Sequence, residues 1–282
     1  LSFDAEEDWN PNGGVYLDSY KYVTSGILSN LARELSQRDI RATFYCTPNL
    51  AKSHPEILQL LERMGHEVGV HLHAHQIWDN VVYPHDAVDS EALQNQGYRE
   101  LDSMIRQAKQ IVEGAVGHRV YSFRSGQWSC DTSVAEACAN NEIESISNHR
   151  STFLLASGLW QIETSKGSDV LNTSHIVTSS LAMVERQADE LIPLFSHPMV
   201  LYDQEKDKPC NLVLRRFLAA VDGVRRQYPA VQFVTTREAV SHLRYCSPTY
   251  ALMLGVSGLC SVVILFGLYI ANGRSERESR ES

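Results

Sequence analysis

The sequence contains no CxxC pair: its six cysteines, Cys46, Cys130, Cys138, Cys210, Cys246 and Cys260, stand apart. That spacing excludes a thiolate zinc knuckle, and it is compatible with one or two disulfides without requiring them. Lysine and arginine nowhere cluster with interleaved aromatics, and the formal net charge is −9. Such a chain has no basic stripe to neutralise phosphates, so nucleic acid is not an expected partner. An internal repeat and a low-complexity linker are both missing, which excludes a solenoid. What remains is 282 residues, 43% hydrophobic and 21% charged, enough for one large domain with a substantial core or for two smaller ones.

Charge is missing altogether from Tyr250 to Ala271, "YALMLGVSGLCSVVILFGLYIA", whose 22 residues match the thickness of a bilayer core. We read it as a single membrane-spanning helix that enters a lipid bilayer. The tail over 272–282, "NGRSERESRES", is too polar for a cleaved lipid-anchor signal. Its Arg274, Arg277 and Arg280, set against Arg237 and Arg244 before the span, lean toward a cytoplasmic tail, with the rest of the chain on the extracytoplasmic side. The chain opens at Leu1 inside a strand-like run, so the expectation is that an upstream segment, such as a signal peptide, precedes it.

Over residues 1–245 apolar strand-like runs alternate with amphipathic helical stretches. The strand-like runs are "LSFD", "RATFYC", "HEVGVHL", "VYSFR", "IESIS", "LFSHPMVLY" and "VQFVT". Helices are expected over Ser25–Ser36, Pro55–Met64, Gly97–Glu113, Val134–Asn140, Val184–Ile192 and Leu212–Tyr228. This alternation predicts an α/β fold, a distorted (β/α) barrel of about seven parallel strands, followed by a C-terminal transmembrane helix over 250–271. The loop from Gln76 to Gln96 is the longest irregular piece, a usual place for function.

In such a barrel the working residues gather at the carboxyl ends of the strands. The first strand ends in "FDAEEDW", where Asp4, Glu6 and Asp8 share a face if extended; so dense an acidic cluster needs a cation or a proton. The third ends in "HLHAH", with His71, His73 and His75 at alternate positions; the fourth ends at Arg124, in "RSGQW"; a late one ends at His197, in "LFSHP". Carboxylates, imidazoles and an arginine at separate strand ends point to a metal hydrolase site.

These motifs resemble the polysaccharide deacetylases, the NodB-type domain of carbohydrate esterase family 4, over about Leu1 to His242. By that resemblance Asp4 is the catalytic base, His71 and His75 are the H-x-x-x-H metal pair, Arg124 steadies the base, and His197 is the general acid. "ATFYCTPNL", Ala42 to Leu50, resembles the family's ATFF-type strand. Three departures stand out. Asp4-Ala5-Glu6 replaces the usual adjacent aspartates, so Glu6 is the chosen metal carboxylate, with Glu7 and Asp8 as rivals. "RSGQW" replaces the usual Arg-x-Pro-Tyr form, and the family's fourth motif has no counterpart near Ser147 to Phe153.

Two imidazoles and one carboxylate suit Zn²⁺ with one position left open, so the expected centre is Glu6, His71 and His75 around a divalent metal. Along an extended chain, His71 and His73 stand about 7 Å apart and His71 and His75 about 13 Å. If the strand stops at His71 and the chain turns helically, positions four apart come within about 6 Å, which selects His71 with His75 and sends His73 away. A strand running straight on would leave His71 with His73 instead. Trp9, Trp78 and Trp128 each follow motif residues and are candidate sugar-stacking surfaces, Trp78 and Trp128 being the preferred substrate contacts. The expected activity is metal-dependent removal of N-acetyl or O-acetyl groups from a polysaccharide. The alternatives are an amidohydrolase acting on a small non-peptide amide, or an inactive membrane-anchored carbohydrate-binding protein.

Overall fold

A computed structural model describes residues 1–10, 15–16, 19–73, 93, 96–126, 131–149, 153–155, 159–163, 191 and 194–246. Its main sheet is built from β1 (Ser2–Ala5), β2 (Thr43–Cys46), β3 (Glu67–Leu72), β4 (Ser122–Ser125), β5 (Ser145–His149), β6 (Phe153–Leu154), β7 (Trp160–Glu163) and β8 (Phe195–Ser196). The order across the sheet is β8-β1-β2-β3-β4-β5-β7-β6. Every pairing is parallel except the antiparallel β6 edge against β7. Seven parallel strands that follow chain order, with the last one returning beside the first, make a distorted (β/α) barrel, as the alternation of strands and helices predicts.

Each strand is sorted by its side-chain period of two. Phe3, Ala5, Phe44, Cys46, Val68, Val70, Leu72, Phe123 and Ile146 belong to the apolar core. They meet the apolar faces of α2 (Ile27–Ser36), α4 (Pro55–Arg63), α5 (Tyr98–Val116), α6 (Thr132–Asn140) and α7 (Asn211–Gln227). In α2 the buried set Ile27, Leu28, Leu31, Ala32 and Leu35 follows the i, i+3, i+4 rule of an amphipathic helix. The alternate strand residues Ser2, Asp4, Thr43, Glu67, His71, Ser122, Arg124, Ser145 and Ser147 are polar and also buried. Helices therefore cover one face of the sheet, and a sealed polar interior lies on the other.

Two expected strands differ. Val231–Thr235, "VQFVT", is coil that meets the sheet side through Arg41 N–H donating to Phe233 O at 3.4 Å. The seventh parallel strand is instead β7, held by Trp160 N–H donating to Glu144 O at 2.9 Å and by its ladder to β5. "LFSHPMVLY" keeps only Phe195–Ser196 as main-sheet strand. Pro198, at the first position of the 3₁₀ turn Pro198–Leu201, cannot donate to a ladder. Short helices at Lys21–Thr24 and Pro48–Ser53 join the expected ones, the latter capped by Thr47 Oγ1 accepting from Leu50 N–H. Among Val184–Ile192, only Leu191 is described.

The chain divides into two compact units, Leu1–Glu238 and Ala239–Ser282. Of the second, the described part is the end of the helix Thr236–Cys246. Among the described residues no helix is long and apolar enough to cross a membrane. The expected span at 250–271 and tail at 272–282 lie outside them, as does nearly all of the loop from Gln76 to Gln96.

One buried histidine ties the sheet to a helix. His66 Nε2 donates to Ala32 O of α2 at 2.9 Å, and its Nδ1 accepts from Ala42 N–H at 3.3 Å. Burial holds its pKa below the usual 6.5, against a smaller upward pull from the Ala32 carbonyl. The native state thus keeps His66 neutral where the unfolded chain is protonated, so this contribution is present above about pH 6.5 and is lost as pH falls. Urea midpoints measured between pH 7.5 and 5 should decline toward acid. His66→Gln should flatten that decline, and an unchanged slope would refute the assignment.

Candidate active site

β1 delivers Asp4 and, one residue beyond its end, Glu6. β3 delivers His71 and then His73, β4 delivers Arg124, and β8 hands on to His197. Parallel strands running side by side bring all of these carboxyl ends to one rim.

The deepest element is the Asp4–Arg124 pair. Arg124 Nη1 donates to Asp4 Oδ1 at 2.5 Å, and the two side chains are 3% or less exposed. The Nη2 and Nε donors are also used: Nη2 meets Ser2 Oγ at 2.8 Å and Ser147 Oγ at 2.7 Å, and Nε meets Ser147 O at 3.1 Å. The guanidinium lies over the Tyr45 ring, 4.2 Å from its centroid. Burial pushes the Tyr45 phenol up to about 12, so it stays a neutral hydroxyl, paired with Thr236 Oγ1 at 2.9 Å. One oxygen of Asp4 is thereby tied down while the other, Oδ2, faces His197 Nε2 at 3.8 Å.

Beside this pair, three ligand-type atoms converge. Glu6 Oε2 lies 3.2 Å from His71 Nε2 and 2.9 Å from His73 Nε2, and the two nitrogens are 3.1 Å apart. Burial alone would raise the Glu6 carboxyl, but hydrogen bonds and charge from His71 and His73 outweigh it and hold Glu6 well below the usual carboxylate range. His71 Nδ1 is 3.0 Å from the Arg124 carbonyl and so carries a proton; Nε2 then meets Glu6 as a donor in the imidazolium and as a bare lone pair in the neutral ring. A lone pair and a carboxylate at 3.2 Å repel unless a cation or proton sits with them. Ligand atoms around four-coordinate zinc with bonds near 2.0 Å stand about 3.3 Å apart, close to the 2.9–3.2 Å seen here. The residues present fit a divalent metal, and Glu6, His71 and His73 are the group of metal-ligand type that converges among the described residues.

The rival acids are engaged elsewhere. Glu7 Oε1 accepts from Asn49 Nδ2 at 2.7 Å, and burial, ahead of this hydrogen bond, raises its pKa. Asp8 Oδ2 accepts from Ser19 Oγ and from Lys21 N–H, both at 2.7 Å. Tyr22, from Lys21–Thr24, donates its hydroxyl to Glu6 O at 2.7 Å and pins the backbone between them. His197 completes the rim, its Nε2 3.7 Å from Glu6 Oε1 and its side chain 31% exposed.

The geometric expectation for His73 is corrected. β3 runs on through Leu72, and the His71 and His73 rings lean together edge-on, centroids 4.9 Å apart at 86°, so the two nitrogens meet although the backbone positions do not. His75, Trp78 and Trp128 lie outside the described residues. Tyr22, Tyr45, Ser2 and Ser147 were not anticipated. Alternation of serine with apolar residues in "SFD" and "SISN" is the signal that could have found the serines.

A family model for polysaccharide deacetylases matches residues 17–146. No curated protein matches. Among solved structures, a Mycobacterium smegmatis protein assigned as a polysaccharide deacetylase aligns at TM-score 0.60 and 16% identity, over 80% of this chain and 79% of its own. The Puue allantoinase aligns at TM-score 0.57 and 10% identity, over 88% and 91%. A family 4 pseudoenzyme from Bacillus anthracis aligns at TM-score 0.50 and 13% identity, over 84% and 64%. At such identities these structures speak for the fold, and the family match speaks for descent. Residues 17–146 thus match the polysaccharide deacetylase family, and the NodB-type fold that the match implies is the one the structure shows.

Proposed function

We propose that this protein is a metal-dependent hydrolase that removes N-acetyl, or O-acetyl, groups from a polysaccharide. The observation that carries the reading is the convergence of Glu6 Oε2 and His71 Nε2, 3.2 Å apart, beside a buried Asp4–Arg124 pair with His197 at the rim. A divalent metal, with Zn²⁺ the expected ion, would be held by Glu6 and His71 with a second imidazole from "HLHAH". When bound, it would supply positive charge for the acetyl carbonyl and a more acidic water.

The chain's own residues do the rest. Asp4 takes the water proton on Oδ2, because Oδ1 is occupied by Arg124. Arg124 compensates the charge of Asp4 and, held by four hydrogen bonds, is kept from swinging into the substrate. His197, the partly exposed member, protonates the departing nitrogen or oxygen of the sugar. Trp78 and Trp128 are proposed to stack on sugar rings. Reading 250–271 as a membrane span, we place the domain on the extracytoplasmic side, where a polymer rather than a small metabolite is the fitting substrate.

Acetate release from acetylated glycan oligomers tests the reading. The zinc-loaded enzyme should release acetate, a chelator should stop it, and added zinc should restore it; metal uptake without acetate release would favour a small-amide substrate. His197→Ala should abolish turnover with metal content intact, whereas His71→Ala should lose both. Full turnover in His197→Ala would remove that residue from the mechanism.

Arg124→Ala should lower stability by about 3–5 kcal/mol, because Asp4 is left as an uncompensated buried charge. Urea unfolding reads this directly, and a change below about 1 kcal/mol, the range of an exposed pair, would contradict the buried geometry.

A further inference from the structure

One position that the family pattern leaves open and one at which this chain departs from it meet in space. The H-x-x-x-H motif makes no use of its middle position, occupied here by His73, and the Arg-x-Pro-Tyr form has proline where this chain has Gly126. Gly126 follows directly on β4, and the space left by its missing side chain is filled by the His73 imidazole. A Cβ built on Gly126 would overlap Nδ1, Cγ and Cε1 of that ring, closer than real Cβ contacts come. Cγ is the root of the ring, so turning a flexible tip does not relieve the overlap; the imidazole itself has to leave. The backbone gives no separate reason for glycine. Among the described residues the positive-φ glycines are Gly26, Gly65 and Gly117, and Gly126 is not one of them.

We propose that His73 supplies the second imidazole of the metal centre and that Gly126 is the positioning residue that admits it. This inference rests on the metal-hydrolase reading and specifies its ligand set as Glu6, His71 and His73. His73 is 4% exposed, and its Nε2 lies within hydrogen-bonding distance of both other ligand atoms, 2.9 Å from Glu6 Oε2 and 3.1 Å from His71 Nε2. The ring is held in that pose by the backbone of the neighbouring strand, since Gly126 stands where a side chain would displace it. A bulkier residue at 126 would exclude an imidazole from position 73, so Gly126 and His73 are complementary. The centre is then an N₂O set, its two imidazoles two residues apart at the end of β3 and its carboxylate just beyond β1, suited to a borderline divalent cation.

The test measures metal binding itself, on the full chain. Zn²⁺ affinity is read by competition with a chromophoric chelator, and the Co²⁺-loaded protein by its visible absorption spectrum. Gly126→Ala should weaken Zn²⁺ binding by about 10–100-fold and alter the Co²⁺ spectrum, the size of effect expected when a ligand's support is removed. His73→Ala should weaken binding at least as much. The double variant should be no worse than His73→Ala alone, because Gly126 acts only through that ring. Far-UV circular dichroism of the metal-free variants checks folding, and His73→Asn replaces His73→Ala if the latter does not fold. A folded His73 variant that binds Zn²⁺ as wild type does, with metal lost instead in His75→Ala, overturns this inference and leaves the hydrolase reading standing. A wild-type chain that binds no metal overturns the hydrolase reading itself.

Discussion

A guanidinium sealed inside a sheet has to have every one of its donors answered, and much of this barrel is arranged to answer those of Arg124. Ser2 on β1 and Ser147 on β5 both accept from its Nη2, and Asp4 balances its charge. The Tyr45 ring forms its floor, and the floor fits because Gly69 on β3 has no side chain. A Cβ there would overlap the Ser122 hydroxyl and crowd the Tyr45 ring. An unpaired buried charge costs several kcal/mol, so each of these small or polar residues is set by the arginine it surrounds.

This division of labour separates stability from chemistry. The apolar face of each strand meets helices and supplies the burial that holds the domain together. The opposite face gives up that gain and carries carboxylates, imidazoles and hydroxyls in fixed positions. Because successive residues of a strand alternate between faces, stabilising and reacting groups are interleaved in sequence without touching in space.

The strong periodic signals were legible. Strands that read as short apolar runs and helices with three-to-four spacing gave the barrel, and the strand-end rule brought Asp4, Glu6, Arg124 and His197 to one rim. What misled was apolar content without a partner. "VQFVT" has the composition of a strand but no ladder, while β7, half of whose four residues are the polar Gln161 and Glu163, is held by its pairing to β5. The histidines show a second limit. Spacing along the backbone separates His71 from His73, yet an imidazole reaches far enough for two rings on one face to lean to a common point. Tyr22 and Tyr45 read as ordinary core aromatics because a hydroxyl partner cannot be seen in a pattern of apolar positions.

The exposures across the rim are unequal. Asp4, Glu6, His71, His73 and Arg124 are each no more than 4% open to solvent, whereas the His197 side chain is 31% open. Among the described residues, traffic of protons between bulk water and this interior therefore has one doorway, and an imidazole stands in it. On the hydrolase reading proposed above, an acid standing at that boundary draws its proton from the surroundings rather than from the buried carboxylates.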